Sequence, residues 1–220
     1  MAHYLIFLGS TRTSTPPAPA RLGERVAKAC LRLLSAQRDT TAEIIYPLSF
    51  DLSGPFKPHF AYSASTVPDD LDALATKIDR ADGYVMVSPE YNHAMSPALS
   101  HLLNHFGASL FAFKPSAIVT YSMGQWGGAR AAVNMRSFLS ELGCLPVSAM
   151  IHIPKAHEAI DSDGQFQAEQ ERWESYFGRT LAQLMWWADA ANAHKAEQDP
   201  TRLSSAFHHT PSQRDAPSCQ

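Results

Sequence analysis

The chain has 220 residues, of which 45% are hydrophobic and 18% are charged, and its formal net charge is −3. This composition predicts one globular domain with a full core, and the small negative charge argues against a nucleic-acid partner. Three widely spaced cysteines argue against a disulfide framework. The sequence contains no apolar run of about 18 residues, so we predict no transmembrane helix. We therefore expect a cytoplasmic protein with no membrane partner.

The first predicted strand covers residues 3–8, whose nearly continuous apolar run is typical of a strand buried on both faces. It ends in the loop GSTRTST (residues 9–15), where Gly9 permits a tight turn and hydroxyl side chains flank Arg12. Hydroxyl groups, backbone amides and one guanidinium near the start of a helix suit a phosphate group. A polar turn with a helix cap is an equal alternative for this loop alone, and the glycine–lysine spacing of a Walker A loop is absent.

Predicted helices and strands alternate along the rest of the chain. The helices cover residues 21–36, 68–81, 129–142 and 167–192, with another that starts at Ser96-Pro97, and the strands cover residues 41–46, 84–87, 116–121 and 146–153. Between the second strand and the second helix lies a long irregular segment, residues 47–68, whose aromatic side chains either cover a flat ligand or fill a surface groove. Residues 193–220 are polar and aperiodic, so we assign residues 1–192 to one domain and the remainder to a disordered tail.

Five strands that alternate with helices, without an internal repeat, predict an α/β fold with one doubly wound parallel sheet. The flavodoxin-like order 2-1-3-4-5 has five strands, and we therefore expect it here. Its switch point lies between strands one and three, where ligands bind outside the carboxyl ends of the strands. The loops at this point are residues 9–15 and residues 88–93, so the predicted topology strengthens the phosphate interpretation of the first loop.

Side chains that suggest acid–base, nucleophilic or metal chemistry are few. The sequence has no GxSxG elbow, and Cys144 lies between a helix end and a strand, where burial is more common than thiolate chemistry. His101 and His105 have the i,i+4 spacing of a metal pair, but two histidines without an HExxH motif more often belong to a helix surface. Glu90 would need a partner to act as a general base. A site of amides, glycines and aromatic faces suits a cofactor that brings its own chemistry.

Three loops carry a resemblance to a known family. The motifs GSTRTS (residues 9–14), SPEYNH (residues 88–93) and SMGQWGG (residues 122–128) resemble those of the NADPH-dependent FMN reductase family, and the resemblance extends over residues 4–164. It implies a flavodoxin-like, dimeric protein that transfers hydride from NAD(P)H through bound FMN to quinones, dyes, metal ions or free flavin. One departure is the stretch PPAPA (residues 16–20), because family members usually pass directly from the first loop into their helix.

The resemblance also implies roles for individual residues. The FMN phosphate would be held by Ser10, Arg12, Ser14 and Thr15. The isoalloxazine ring would meet backbone groups and a ring edge from Pro89, Glu90, Tyr91 and Asn92, and its other edge would be lined by Ser122, Met123, Gly124, Gly127 and Gly128. Because FMN carries the chemistry, we expect no catalytic side chain and no metal ligand.

The resemblance therefore predicts an FMN-dependent NAD(P)H oxidoreductase with a ping-pong mechanism. NADPH or NADH would be the co-substrate, and a quinone, free flavin, dye or metal ion would be the small-molecule electron acceptor. We expect a homodimer or a homotetramer. The alternative is a non-catalytic flavin-binding electron carrier or interaction module, although a dedicated carrier is usually more acidic than a net charge of −3 implies.

Overall fold

The computed structural model describes residues 1–13 and 21–203. The strands are β1 (Ala2–Leu8), β2 (Thr40–Ile45), β3 (Gly83–Pro89), β4 (Pro115–Tyr121), β5 (Leu145–Pro146) and β6 (Ile151–Ile153). The helices are α1 (Leu22–Ser35), α2 (Asp69–Arg80), α3 (Pro97–Asn104), α4 (Ala108–Phe111), α5 (Ala129–Glu141), α6 (Ala156–Ala159) and α7 (Gln170–Glu197). Ser14 and Thr15, two of the predicted phosphate contacts, lie outside the described residues, as does Cys219.

The strands form one parallel sheet of order β2-β1-β3-β4-β5, with β6 also paired to β4, which confirms the predicted flavodoxin-like topology. Alternate residues of β1 enter two cores, because successive side chains of a strand point to opposite faces. Tyr4 and Ile6 pack on the face that α1 and α7 cover, and Leu5 and Phe7 pack on the face that α2, α3 and α5 cover. Helices on both faces explain why the central strands are buried throughout.

The fifth strand differs from its prediction as one continuous element over residues 146–153. It is divided into β5 and β6, which both pair with β4. Pro146 has no N–H to donate, and the guanidinium of Arg136 donates to the carbonyls of Val147 and Ser148 at 2.8 Å each. The side-chain oxygen of Gln183 accepts from the N–H of Ala149 at 3.1 Å. Side chains thus satisfy the backbone between the two short strands, where the ladder is interrupted.

The last helix is longer than predicted. Helix α7 continues through Ala193 to Glu197, and a short 3-10 turn follows at Pro200–Arg202, so the predicted helix end at Asn192 is too early. Residues 204–220 lie outside the described part of the chain, and the division into a domain and a tail stays a prediction. Among the described helices, none has the length and apolarity that a membrane span requires.

Two histidines, one in α3 and one directly after it, hold the long irregular segment against the domain. His105 Nδ1 lies 3.2 Å from the carbonyl oxygen of Lys57, and His101 Nε2 lies 3.3 Å from that of Leu52. The ring of Phe56 lies 4.8 Å from the ring of His105, centroid to centroid. In the described part of the chain, no group of three His, Cys, Asp or Glu side chains converges as metal ligands would. The i,i+4 histidine pair is therefore engaged in packing this segment.

The start of α3 is stabilised by a buried N-cap residue, Ser96. Ser96 Oγ accepts a hydrogen bond from the N–H of Leu99 at 3.1 Å, and Pro97 occupies the first turn, as the sequence predicts. We expect Ser96→Ala to lower the free energy of unfolding by about 1 kcal/mol, measured by urea denaturation. Ser100→Ala is the control, because that hydroxyl only donates to carbonyls of its own helix, and it should change stability by less than about 0.5 kcal/mol. Equal effects of the two substitutions would contradict the cap.

Candidate functional site

A cavity of about 480 Å³ lies at the carboxyl ends of β1, β3 and β4, where the fold predicts a ligand site. The first loop, the central loop and the loop after β4 all reach it, together with the start of α1. It is lined by Ser10, Arg12, Thr13, Arg21, Leu22, Arg25, Pro89, Glu90, Tyr91, Tyr121, Ser122, Met123 and His157. The three loops that the sequence singles out therefore converge on one cavity.

The predicted site residues divide into two groups in the described part of the chain. Those that line the cavity are Ser10, Arg12, Pro89, Glu90, Tyr91, Ser122 and Met123. Those that lie in the same loops but do not line it are Asn92, Gly124, Gly127 and Gly128. Which of all these residues contact a cofactor stays a prediction, and Ser14 and Thr15 lie outside the described residues.

Gly9 brings the first loop close to β3. Its N–H donates to the carbonyl of Val87 at 2.7 Å, and a Cβ at this position would lie only 2.5 Å from that same oxygen. Any residue larger than glycine would thus push the loop away from the end of β3. The next residue, Ser10, is buried, and its Oγ accepts from the N–H of Arg12 at 3.4 Å. The close approach at Gly9 therefore sets where the hydroxyl and guanidinium groups enter the cavity.

The central loop contains a tight turn. The N–H of Tyr91 donates to the carbonyl of Ala94, and the N–H of Ala94 donates back to Tyr91, at 3.0 and 2.9 Å. The two central residues, Asn92 and His93, have φ of 51° and 63°, as in a type I′ turn. The Tyr91 amide is therefore hydrogen-bonded within the turn, and the contact of this loop with a flavin stays a prediction.

Glu90 joins the central loop to the start of α5. Its two carboxylate oxygens accept from Arg130 Nη1 at 3.3 Å and from the N–H of Ala131 at 3.5 Å. The Arg130 guanidinium also lies 5.5 Å from the ring centroid of Trp126. A carboxylate at a helix N-terminus is favoured by the helix dipole. Glu90 thus holds the central loop against the start of α5.

The glycines of the third loop differ in their surroundings. Gly127 has φ of 59°, and a Cβ there would lie 2.9 Å from the backbone nitrogens of Ile153 and Pro154. Gly128 has φ of 80°, and its Cβ would lie 2.8 Å from Cβ of Thr120. These two glycines let the loop pack against β6 and β4, which is a different role from the predicted lining of the cavity.

Six residues that line the cavity are absent from the predicted site: Thr13, Arg21, Leu22, Arg25, Tyr121 and His157. Arg21 directly precedes α1 and Arg25 lies in its first turn, so a basic i,i+4 pair at a helix start is the pattern that would have found these two arginines. Tyr121 ends β4, and burial raises the pKa of its phenol well above the usual range, with Ser10 as a hydrogen-bond partner. The Tyr121 hydroxyl also requires Gly23, where a Cβ would lie 2.4 Å away.

Comparisons with known proteins agree on one family. A sequence model described as NADPH-dependent FMN reductase matches residues 3–158. The chain is 37% identical over 82 residues to an NADPH azoreductase from Bacillus sp. (strain OY1-2) and 40% identical over 75 residues to a quinone reductase from Escherichia coli (strain K12). These alignments cover 36% and 33% of this chain and 46% and 40% of the relatives, so the chain spans less than half the length of either. The flavoenzyme NAD(P)H:(acceptor) oxidoreductase FerB from Paracoccus denitrificans shares the fold, with a TM-score of 0.65 and 20% identity over 86% of this chain and 98% of FerB.

Proposed function

The chain belongs to the NADPH-dependent FMN reductase family, and on that premise we propose that it is an FMN-dependent NAD(P)H oxidoreductase acting on a small acceptor. The observation that carries this proposal is the cavity at the switch point of the sheet, where all three motif loops meet. The chain resembles relatives named for the reduction of azo compounds and of quinones. A quinone, a dye or free flavin is accordingly the acceptor class that we propose, with a metal ion as a further candidate.

The residues around the cavity fit FMN. The first loop contributes the hydroxyl groups of Ser10 and Thr13 and the guanidinium of Arg12 to the cavity lining, and these are hydrogen-bond donors that suit a phosphate. Tyr91 and Met123 line the cavity from the other two loops, are 41% and 63% exposed, and offer apolar surface to a flat ring. Polar donors on the first loop and apolar surface on the other two loops match a molecule that has a phosphate at one end and an isoalloxazine at the other.

When bound, FMN would supply the two-electron chemistry, with the net reaction NAD(P)H + H⁺ + quinone → NAD(P)⁺ + hydroquinone. The protein would hold the phosphate through Ser10 and Arg12. The amino end of α5, which follows Gly128, favours negative charge at the third loop through its dipole. Glu90 keeps the central loop in place through Arg130, and Tyr121 stays protonated because its pKa is raised by burial. The scheme requires no acid or base from a side chain.

Because the three motif loops meet at one cavity, we propose that NAD(P)H and the acceptor use this site in turn, which is a ping-pong sequence. Initial rates measured against NADPH at several fixed quinone concentrations should then give parallel double-reciprocal lines, and intersecting lines would contradict this order. Initial rates measured with NADPH and with NADH under the same conditions show which nucleotide is preferred. We also propose a homodimer or homotetramer in the cytoplasm, and light scattering after gel filtration measures the assembly.

The visible spectrum of the purified protein tests the proposal directly. We expect a yellow protein, or one that becomes yellow with added FMN, and bleaching of the flavin bands by NADPH or NADH without oxygen. A colourless protein that takes up no added FMN refutes the proposal. Bound FMN that neither nucleotide reduces would instead favour the alternative of a non-catalytic electron carrier or interaction module.

Removing the guanidinium of Arg12 should weaken the cofactor complex. We expect Arg12→Ala to reduce the free energy of FMN binding by about 1–3 kcal/mol, because a charged hydrogen bond to the phosphate is lost. The quenching of flavin fluorescence on titration with apoprotein measures the affinity. Arg38→Ala is the matched control, because the Arg38 side chain is 96% exposed and follows the carboxyl end of α1, away from the cavity. Unchanged FMN affinity in the Arg12→Ala protein would remove this residue from the site.

A further inference from the structure

The first motif of this chain is interrupted. Residues 16–20 separate the loop that carries Ser10 and Arg12 from α1, whose first residue is Leu22. Arg21 occupies the position before that helix, and its side chain makes no capping bond to the helix. Arg21, the first described residue after this stretch, thus lines the cavity.

Contacts on three sides hold the Arg21 side chain. Its Nη1 donates to the carbonyl of Ser10 at 3.2 Å, a contact between residues that are 11 positions apart. Its Nε donates to a carboxylate oxygen of Glu24 at 3.2 Å, and the guanidinium lies 5.5 Å from the ring centroid of Tyr46. The side chain is only 10% exposed. A guanidinium held in this way loses little conformational entropy when it binds a ligand.

Arg21 therefore lies against the same loop that the motif assigns to the phosphate. It lines the cavity together with Ser10, Arg12 and Thr13, and Arg25 of α1 lines it too, so guanidinium groups from both sides of residues 16–20 border the cavity. The amino end of α1, 14 residues long, adds its positive dipole end here. A phosphate monoester carries close to two negative charges at neutral pH, and one arginine alone does not balance them.

We propose that Arg21 is a second phosphate-binding residue of the FMN site and that it completes the interrupted first motif from the far side of residues 16–20. This inference rests on the proposed function, because it needs FMN as the ligand. A purely structural role is the competing explanation, since the bond from Arg21 to the Ser10 carbonyl also steadies the loop. Both roles predict a greater loss for FMN than for riboflavin, which has the same ring and ribityl chain without the phosphate, because the loop that Arg21 contacts also holds the phosphate. A crystal structure of the FMN complex separates them, since a phosphate contact places the Arg21 guanidinium within hydrogen-bonding distance of a phosphate oxygen.

The test compares FMN and riboflavin affinities of apoprotein by flavin fluorescence quenching. We expect Arg21→Ala to weaken FMN binding about tenfold or more and riboflavin binding by less than about twofold. Arg21→Lys keeps the charge without the planar fork and should fall between wild type and Arg21→Ala for FMN. Arg32→Ala is the control on the same helix, because its guanidinium binds Glu174 of α7 and lies outside the cavity lining, so its FMN-to-riboflavin ratio should equal that of wild type.

Equal losses of FMN and riboflavin affinity in Arg21→Ala would overturn the proposal, because the loss of a phosphate contact does not affect riboflavin. An FMN complex in which the Arg21 guanidinium makes no contact with the phosphate would also overturn it. Unchanged FMN affinity would overturn it as well. If circular dichroism shows that Arg21→Ala does not fold, the decision passes to Arg21→Lys, where a selective loss of FMN affinity supports the proposal and an FMN-to-riboflavin ratio equal to wild type refutes it. A wild-type protein that binds neither flavin would instead refute the proposed function itself.

Discussion

Gly127→Ala should lower the free energy of unfolding by about 2–4 kcal/mol. Two costs combine, because the residue has φ of 59°, and an added Cβ would lie 2.9 Å from the backbone nitrogens of Ile153 and Pro154. A left-handed backbone at an L-residue costs about 1–2 kcal/mol. An added methyl group in a tightly packed place costs about 1–3 kcal/mol, and backbone atoms relax less readily than the end of a side chain.

The same loop supplies the control. Gly124 lies three residues earlier, and a Cβ there would have nothing within 4 Å, so Gly124→Ala should change stability by less than about 0.5 kcal/mol. Urea denaturation of both variants measures the difference. FMN titration of the folded Gly127→Ala protein adds a second readout, because the loop holds Ser122, whose Oγ accepts from the N–H of Gly127 at 3.1 Å. Similar stabilities of the two alanine variants would show that the fold tolerates a Cβ at position 127.

The order of the strands was predictable because it follows from local patterns of apolar residues along the sequence. Apolar runs such as residues 84–87 mark strands buried on both faces, and the alternation with helices leaves few topologies for a parallel sheet. The division of the fifth strand was not predictable in this way. It depends on Arg136 and Gln183, which are distant in sequence and satisfy backbone groups between β5 and β6. Hydrogen bonds of that kind leave no periodic pattern in the sequence.

The site, too, could be predicted only in part from the sequence. The motifs locate the three loops correctly, since Ser10, Glu90 and Ser122 all line one cavity. The sequence motif does not distinguish Gly124 from Gly127. The two glycines differ in the atoms that would surround an added Cβ, which only the folded chain shows. Arg21 was missed for a related reason. It follows the interruption at residues 16–20, and only the folded chain shows its contact with Ser10.

Raising the pH from 9 to 12 should lower the free energy of unfolding by roughly 4 kcal/mol for each of two buried thiols. Burial raises the pKa of Cys30 and of Cys144 from about 9 to about 12. Between these values the unfolded chain has released both thiol protons while the folded chain keeps them, so the unfolded state binds fewer protons. Stability that is fully present below pH 9 is then lost as the pH rises through 12. Burial also raises the pKa of Tyr84 above its usual value, which steepens the loss above pH 10.

Lys114 acts in the opposite direction over part of this range. Burial lowers the pKa of its ammonium from about 10.5 to about 8, so between these values the unfolded chain binds the extra proton and stability rises with pH. We therefore expect a maximum near pH 9 and a steep decline beyond about pH 10. Urea denaturation at pH 8, 9, 10 and 11 with a reductant measures the profile. Cys30→Ala should reduce the slope above pH 9 by up to about 1.4 kcal/mol per pH unit, and Lys114→Met should remove the rise between pH 8 and 9. A Cys30→Ala profile parallel to wild type would show that this thiol titrates normally in the folded protein.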